Sequence, residues 1–64
     1  MLKVKAGDTV VVRQWGGGTV TGIVQEVLED VKNGRPGIDY EVPDATHELD
    51  RYKWAYQDQI VSIL

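Results

Sequence analysis

The chain has 64 residues, seven Lys and Arg against ten Asp and Glu (net charge −3 with its one histidine neutral), and no cysteine. That length holds one domain, 1–64; the missing cysteines exclude disulfides, thiol catalysis and thiolate metal sites, and the negative balance argues against a surface built for general nucleic-acid binding. Apolar runs grow no longer than Val10-Val11-Val12, and Met1-Leu2-Lys3-Val4-Lys5 lacks the apolar stretch of a secretory signal, so no membrane association and a cytoplasmic location are expected.

A chain this short buries only about 60% of its unfolded surface, so without a disulfide or a metal every apolar residue counts. Val occurs ten times and Ile four, Leu four and Phe never. Branched side chains of this kind suit pleated, half-buried surfaces, and the composition is that of a β protein.

Gly7-Asp8 reads as a turn into a first strand, Thr9 to Trp15, with Val10 and Val12 on one face and Thr9, Val11 and Arg13 on the other. Gly16-Gly17-Gly18 breaks the chain in a tight turn and opens a second run, Thr19 to Glu29. Val20, Gly22 and Val24 have one parity there and Ile23 and Val27 the other, which predicts a bulge or bend between Gly22 and Glu26. A helical reading of Ile23 to Val31 fits the spacing, but no N-cap precedes Gly22 and the segment is rich in Val and Ile, which suit strands. Asp30 to Gly37, with Asn33-Gly34 and Pro36-Gly37, reads as an exposed loop.

Ile38 to Val42 alternates apolar and acidic residues and is the clearest strand. Pro43 to Glu48 is turn-like. Arg51 to Tyr56 alternates again, with Tyr52, Trp54 and Tyr56 on one side and Arg51, Lys53 and Ala55 on the other. Gln57-Asp58-Gln59 has room for a single 3₁₀ turn before a last strand, Ile60 to Leu64. Five short strands with turns about every ten residues predict an all-β, small five-stranded barrel.

Gly7-Asp8-Thr9-Val10-Val11-Val12, Gly18, Thr21-Gly22-Ile23-Val24-Gln25-Glu26-Val27 and the closing Ile60-x-x-Ile63 resemble SH3-like barrels of the KOW and Tudor type. More narrowly, Trp15-Gly16-Gly17-Gly18, Thr21-Gly22-Ile23-Val24 and Tyr40-Glu41-Val42 are similar to the hypervirulence-associated Tudor-like family of small bacterial and fungal proteins. The resemblance implies the SH3-like barrel over nearly the whole chain and little about activity. Type II dihydrofolate reductases share that barrel class, but their Val-Gln-Ile-Tyr run would fall at Tyr52-Lys53-Trp54-Ala55, where no residue matches, so no catalytic residue carries over.

Tudor-like domains use aromatic cages for methylated lysine or arginine, and Tyr52, Trp54 and Tyr56 with Asp50 or Asp58 are the residues here that such a cage would use. The competing expectation is that a core without phenylalanine uses Tyr40 and Trp54 as packing. Trp15, at a strand end beside three glycines, is expected either to lie in a binding surface or to fold over the barrel mouth. The glycine triplet lacks the Gly-Lys-Ser/Thr or strand-to-helix setting of a phosphate loop. His47, among Asp44, Glu48 and Asp50, lacks the partner and pocket of a catalytic histidine and reads as solvated, with no metal or other cofactor expected. Arg13, Arg51 and Lys53 would form a small basic patch if their strands were neighbours.

These residues imply a non-catalytic module that binds a protein or peptide through an aromatic-lined groove whose loop acids would select basic or proline-rich ligands, with Trp15, Tyr52, Trp54 and Tyr56 as ligand-binding residues. The alternatives are a KOW-like nucleic-acid contact through Arg13, Arg51 and Lys53, and a homo-oligomer joined through the apolar edge Ile60-Val61-Ser62-Ile63-Leu64.

Overall fold

In the computed structural model, which describes residues 3–64, Val10 and Val12 of β1 (Thr9–Arg13) are completely buried, as their alternation predicts. Lys5 N–H donates to Asp8 Oδ2 at 3.0 Å in the turn before β1, where Gly7 takes a positive φ. The glycine triplet is a tight turn: Gln14 N–H donates to the Gly18 carbonyl at 3.0 Å, Gly17 N–H to the Gln14 carbonyl at 3.2 Å, and all three glycines have φ near +90°.

β2 (Thr19–Lys32) carries the predicted bulge. It pairs with β3 (Arg35–Glu41) through Val24↔Tyr40 and then Glu26↔Asp39, which leaves one residue, Gln25, unmatched. The slip changes parity, so that Val24 stands opposite Tyr40 and Val27 opposite Ile38 on the same face. No helix forms over Ile23 to Val31.

The expected loop from Asp30 to Gly37 is not there. β2 runs on to Lys32 and β3 starts at Arg35, joined by Asn33-Gly34 alone, with φ of 57° and 73°. Two consecutive positive φ values make a type I′ turn, whose twist matches that of the flanking strands, and Asp30 Oδ1 accepts the Gly34 N–H at 2.8 Å. Pro36 is tolerated inside β3 because it falls in the register irregularity between Leu28 and Lys32 and before the ladder with β4 begins at Gly37.

β4 (Tyr52–Tyr56) and β5 (Ile60–Ile63) complete one antiparallel sheet of order β4-β3-β2-β1-β5. Two 3₁₀ turns occur where one was expected: Gln57–Gln59 between β4 and β5, and Glu48–Asp50 before β4. The two end strands do not pair with each other, so strand pairing does not close the sheet into the expected cup. The sheet is nevertheless strongly bent. A flat sheet is about 10 Å thick, whereas the smallest dimension here is 21 Å. Ala55 from one end strand and Ile60 from the other therefore meet in a single core with Val10, Val12, Val24, Ile38, Tyr40 and Val42. No helix among the described residues is long and apolar enough to cross a membrane.

Two glycines permit the bend. A Cβ at Gly22 would lie 2.6 Å from Tyr40 Cδ2 and 2.8 Å from the Glu41 carbonyl oxygen, and one at Gly37 would overlap the Ala55 carbonyl and the Val31 side chain. Gly37→Ala is expected to cost about 3 kcal/mol, since its overlap with backbone is the deeper one, and Gly22→Ala about 1–3 kcal/mol, since a buried ring and the Glu41 carbonyl must give way by less. Gly17→Ala, with open space around it, is expected to cost only about 1 kcal/mol of left-handed strain. Urea denaturation of the three variants checks this order.

Burial raises the Tyr40 hydroxyl pKa above its ordinary value by desolvation. The folded state thus holds the proton more tightly than the unfolded state, and this stability is fully present below pH ~10 and lost as pH rises through the folded-state value. Alkaline unfolding monitored by circular dichroism is expected to move to higher pH in Tyr40→Phe, with little change in stability at neutral pH.

Candidate functional site

β4 presents its aromatic residues differently from a core strand. Ala55 opposes Ile38 and is buried, whereas Trp54 opposes Asp39 on the outer face and is 37% exposed. The expectation that Trp54 packs in the core is therefore wrong, because the parity that buries Ala55 turns the tryptophan outward. Tyr40 is a core residue, as expected.

Tyr56 has the outward parity of Trp54, yet it is only 7% exposed, because other elements cover it. Trp15 meets it edge-on at 6.4 Å between centroids and Trp54 edge-on at 5.1 Å, the geometry ring quadrupoles favour. The tip of the β2–β3 hairpin covers the rest. Asn33 Nδ2 donates to Tyr56 Oη at 2.9 Å, the Arg35 guanidinium lies 4.0 Å from the Tyr56 ring centroid, and Lys32 Nζ lies 5.0 Å from that of Trp54. Arg35 is also paired with Asp58 at 2.6 Å. This pair is exposed and worth at most about 1 kcal/mol, so its role is to fix where Arg35 lies over the ring.

Trp15 reaches this cluster because the second 3₁₀ turn draws the ends of β4 and β1 together. Gln59 does so with one side chain: its Oε1 accepts the Tyr56 N–H at 2.9 Å and its Nε2 donates to the Arg13 carbonyl at 2.9 Å. Trp15 itself is 74% exposed. It forms a ridge between two shallow grooves. One, of about 350 Å³, is lined by Arg13, Gln14, Tyr40, Lys53, Trp54 and Gln59; the other, of about 320 Å³, has Arg35, Tyr56 and Asp58 on its far side.

The first groove has an uneven charge. Arg13 and Lys53 both line it, no carboxylate lines it, and neither cation has an ion-pair partner among the described residues. Of the seven cationic residues in a chain of net charge −3, four (Arg13, Lys32, Arg35 and Lys53) surround the aromatic cluster.

The expected patch of Arg13, Arg51 and Lys53 is thus formed in part. β1 and β4 are not neighbours, yet the bend brings Arg13 and Lys53 to one groove. Arg51 is elsewhere, its Nε 3.3 Å from Glu41 Oε2. Tyr52, opposite Glu41, is exposed and outside the ring cluster, in a separate depression with Gln25, Asp39, Lys53 and Trp54. Among the carboxylates considered for a cation cage, Asp58 is engaged by Arg35. Lys32 lies over the Trp54 ring and Arg35 over the Tyr56 ring, so cations of the chain itself already meet these two rings.

Lys32, Asn33, Arg35 and Gln59 were not singled out from the sequence. Asn33-Gly34 carried enough signal to shorten the loop and set Lys32 opposite Arg35, but the bend that lays the hairpin tip over β4 depends on close packing at Gly37. Among the described residues no group of three or more His, Cys, Asp or Glu is disposed to hold a metal ion. No protein-family model, curated protein or solved structure matches the chain significantly.

Trp15→Ala should change stability by at most about 1 kcal/mol, the worth of one edge-on ring contact. Tyr56→Ala should cost about 3 kcal/mol, through loss of a buried ring and its hydrogen bond to Asn33. Thermal unfolding separates the two, and comparable losses would mean that Trp15 is a structural residue.

Proposed function

We propose that this protein is a non-catalytic interaction module, an SH3-like barrel of the KOW and Tudor type whose bent sheet presents the Trp15–Trp54 groove to a protein or peptide partner. One observation carries the reading: two unpartnered cations line a groove with an exposed and a half-exposed indole, and no carboxylate lines it. Such a groove suits a segment that pairs an apolar side chain with acidic ones. The indoles supply contact area at small rotamer cost, and Arg13 and Lys53 select negative charge by complementarity. A basic ligand would add like charge to a groove that already holds two cations.

The surrounding structure supports a preformed surface. Gln59 holds the end of β1, and the glycine turn anchors the chain on either side of the ridge, so little ordering is left for the binding step.

Nucleic-acid binding is the second reading, favoured by the exposed Trp15 indole beside the same two cations. With two phosphates neutralised on a single strand, log affinity against log salt would have a slope of about −1.4. Affinity for acidic, lysine-rich and uncharged peptides of equal length, and for a single-stranded oligonucleotide, is to be measured by tryptophan fluorescence. The acidic peptide is expected to bind best, with about tenfold or greater loss in Trp15→Ala. Equal affinity for acidic and lysine-rich peptides would overturn the reading, and tighter oligonucleotide binding would replace it with the second.

A further inference from the structure

We infer that the groove of one copy receives the Glu48-Leu49-Asp50 turn of a second copy. The inference rests on the reading of the groove as a receptor for an acid-flanked apolar residue, and this chain displays such a residue itself. Leu49 is 86% exposed, the most exposed large hydrophobic side chain among the described residues, and its 3₁₀ turn buries none of its residues. Glu48 and Asp50 flank it, and Asp44 lies in the same loop.

The turn has a fixed shape. Asp50 N–H donates to the His47 carbonyl at 2.9 Å and Arg51 N–H to the Glu48 carbonyl at 3.2 Å. The base of the loop is tied by Val42 N–H donating to the Arg51 carbonyl at 2.6 Å, and Ala45 packs against the core. Leu49 is thereby held at the tip of an anchored acidic loop. The groove offers the complement: exposed indole surface between Arg13 and Lys53.

A molecule is not built to satisfy its own groove in this way. Leu49 is not among the residues that line the groove, and its side chain is left in solvent, so the turn does not fill the groove within one chain. The contact therefore joins unlike surfaces of two molecules, head to tail, and leaves a free groove at one end and a free turn at the other. Complementary charge makes it sensitive to salt.

The test is sedimentation velocity on wild-type protein, Trp15→Ala, Leu49→Ser and an equimolar mixture of the two variants, at low and high salt. Both substituted residues are exposed, and circular dichroism verifies that each variant is folded. Wild-type mass is expected to rise with concentration and to fall with salt. Each variant alone should associate about tenfold or more weakly. The mixture should form a 1:1 complex and nothing larger, because Trp15→Ala keeps the turn, Leu49→Ser keeps the groove, and the resulting pair has no working ends. Wild-type protein that stays monomeric at the highest concentration overturns the inference. If an acidic peptide still titrates the groove in that case, the proposed function survives. Undiminished association of Leu49→Ser would assign the contact to another surface, such as the β5 edge, and also overturn it, as would a mixture that forms no heterodimer.

Discussion

Where β3 passes β4, the absence of a side chain at Gly37 lets the strands come so close that a Cβ would overlap the Ala55 carbonyl, and at Gly22 the Tyr40 ring occupies the space a Cβ would need. These two approaches let five strands bend into a shell thick enough to have an inside. A 64-residue chain with no phenylalanine cannot cover a flat sheet with a second layer. It must bring its two end strands onto one core, and Ala55 and Ile60 record that it does.

The same bend assembles the surface. β1 and β4 are separated by two strands in the sheet, yet Trp15 touches Tyr56, and Gln59 spans the gap with two hydrogen bonds. Side chains rather than a strand ladder join these ends. The arrangement leaves the rings of Trp15 and Trp54 accessible while Tyr56, between them, is buried. Burial is thus divided unequally among neighbouring rings: Tyr56 is held by Asn33, Arg35 and both tryptophans, whereas Trp15 leaves most of its surface in solvent.

Charge follows the same division. The acids lie in turns and at outward strand positions, including the loop around Leu49, while four cations surround the ring cluster. A chain of net charge −3 therefore has a groove lined by cations without a carboxylate. The hairpin tip matters here as well: it places Lys32 and Arg35 over the rings of Trp54 and Tyr56 and so brings two of the four cations to the aromatic run of β4.

The strands were largely legible in the sequence because a half-buried strand writes its burial as alternation. Val10 and Val12 went inside, Ile38 and Tyr40 went inside, and the conflict of parity after Gly22 announced the bulge at Gln25. Alternation says which residues share a face and is silent about which face meets the core. In β4 the sequence offered Tyr52, Trp54 and Tyr56 against Ala55, and only the tight packing beside Gly37 decided that the small residue faces the core. Composition and local turn chemistry determined an all-β chain with a tight glycine turn, a bulge and a 3₁₀ turn before the last strand. The meeting of Trp15 with Tyr56, the pairing of Arg13 with Lys53 across one groove and the removal of Arg51 to Glu41 were tertiary decisions, since each depends on how far the sheet bends, and that distance is set by contacts between residues remote in the chain.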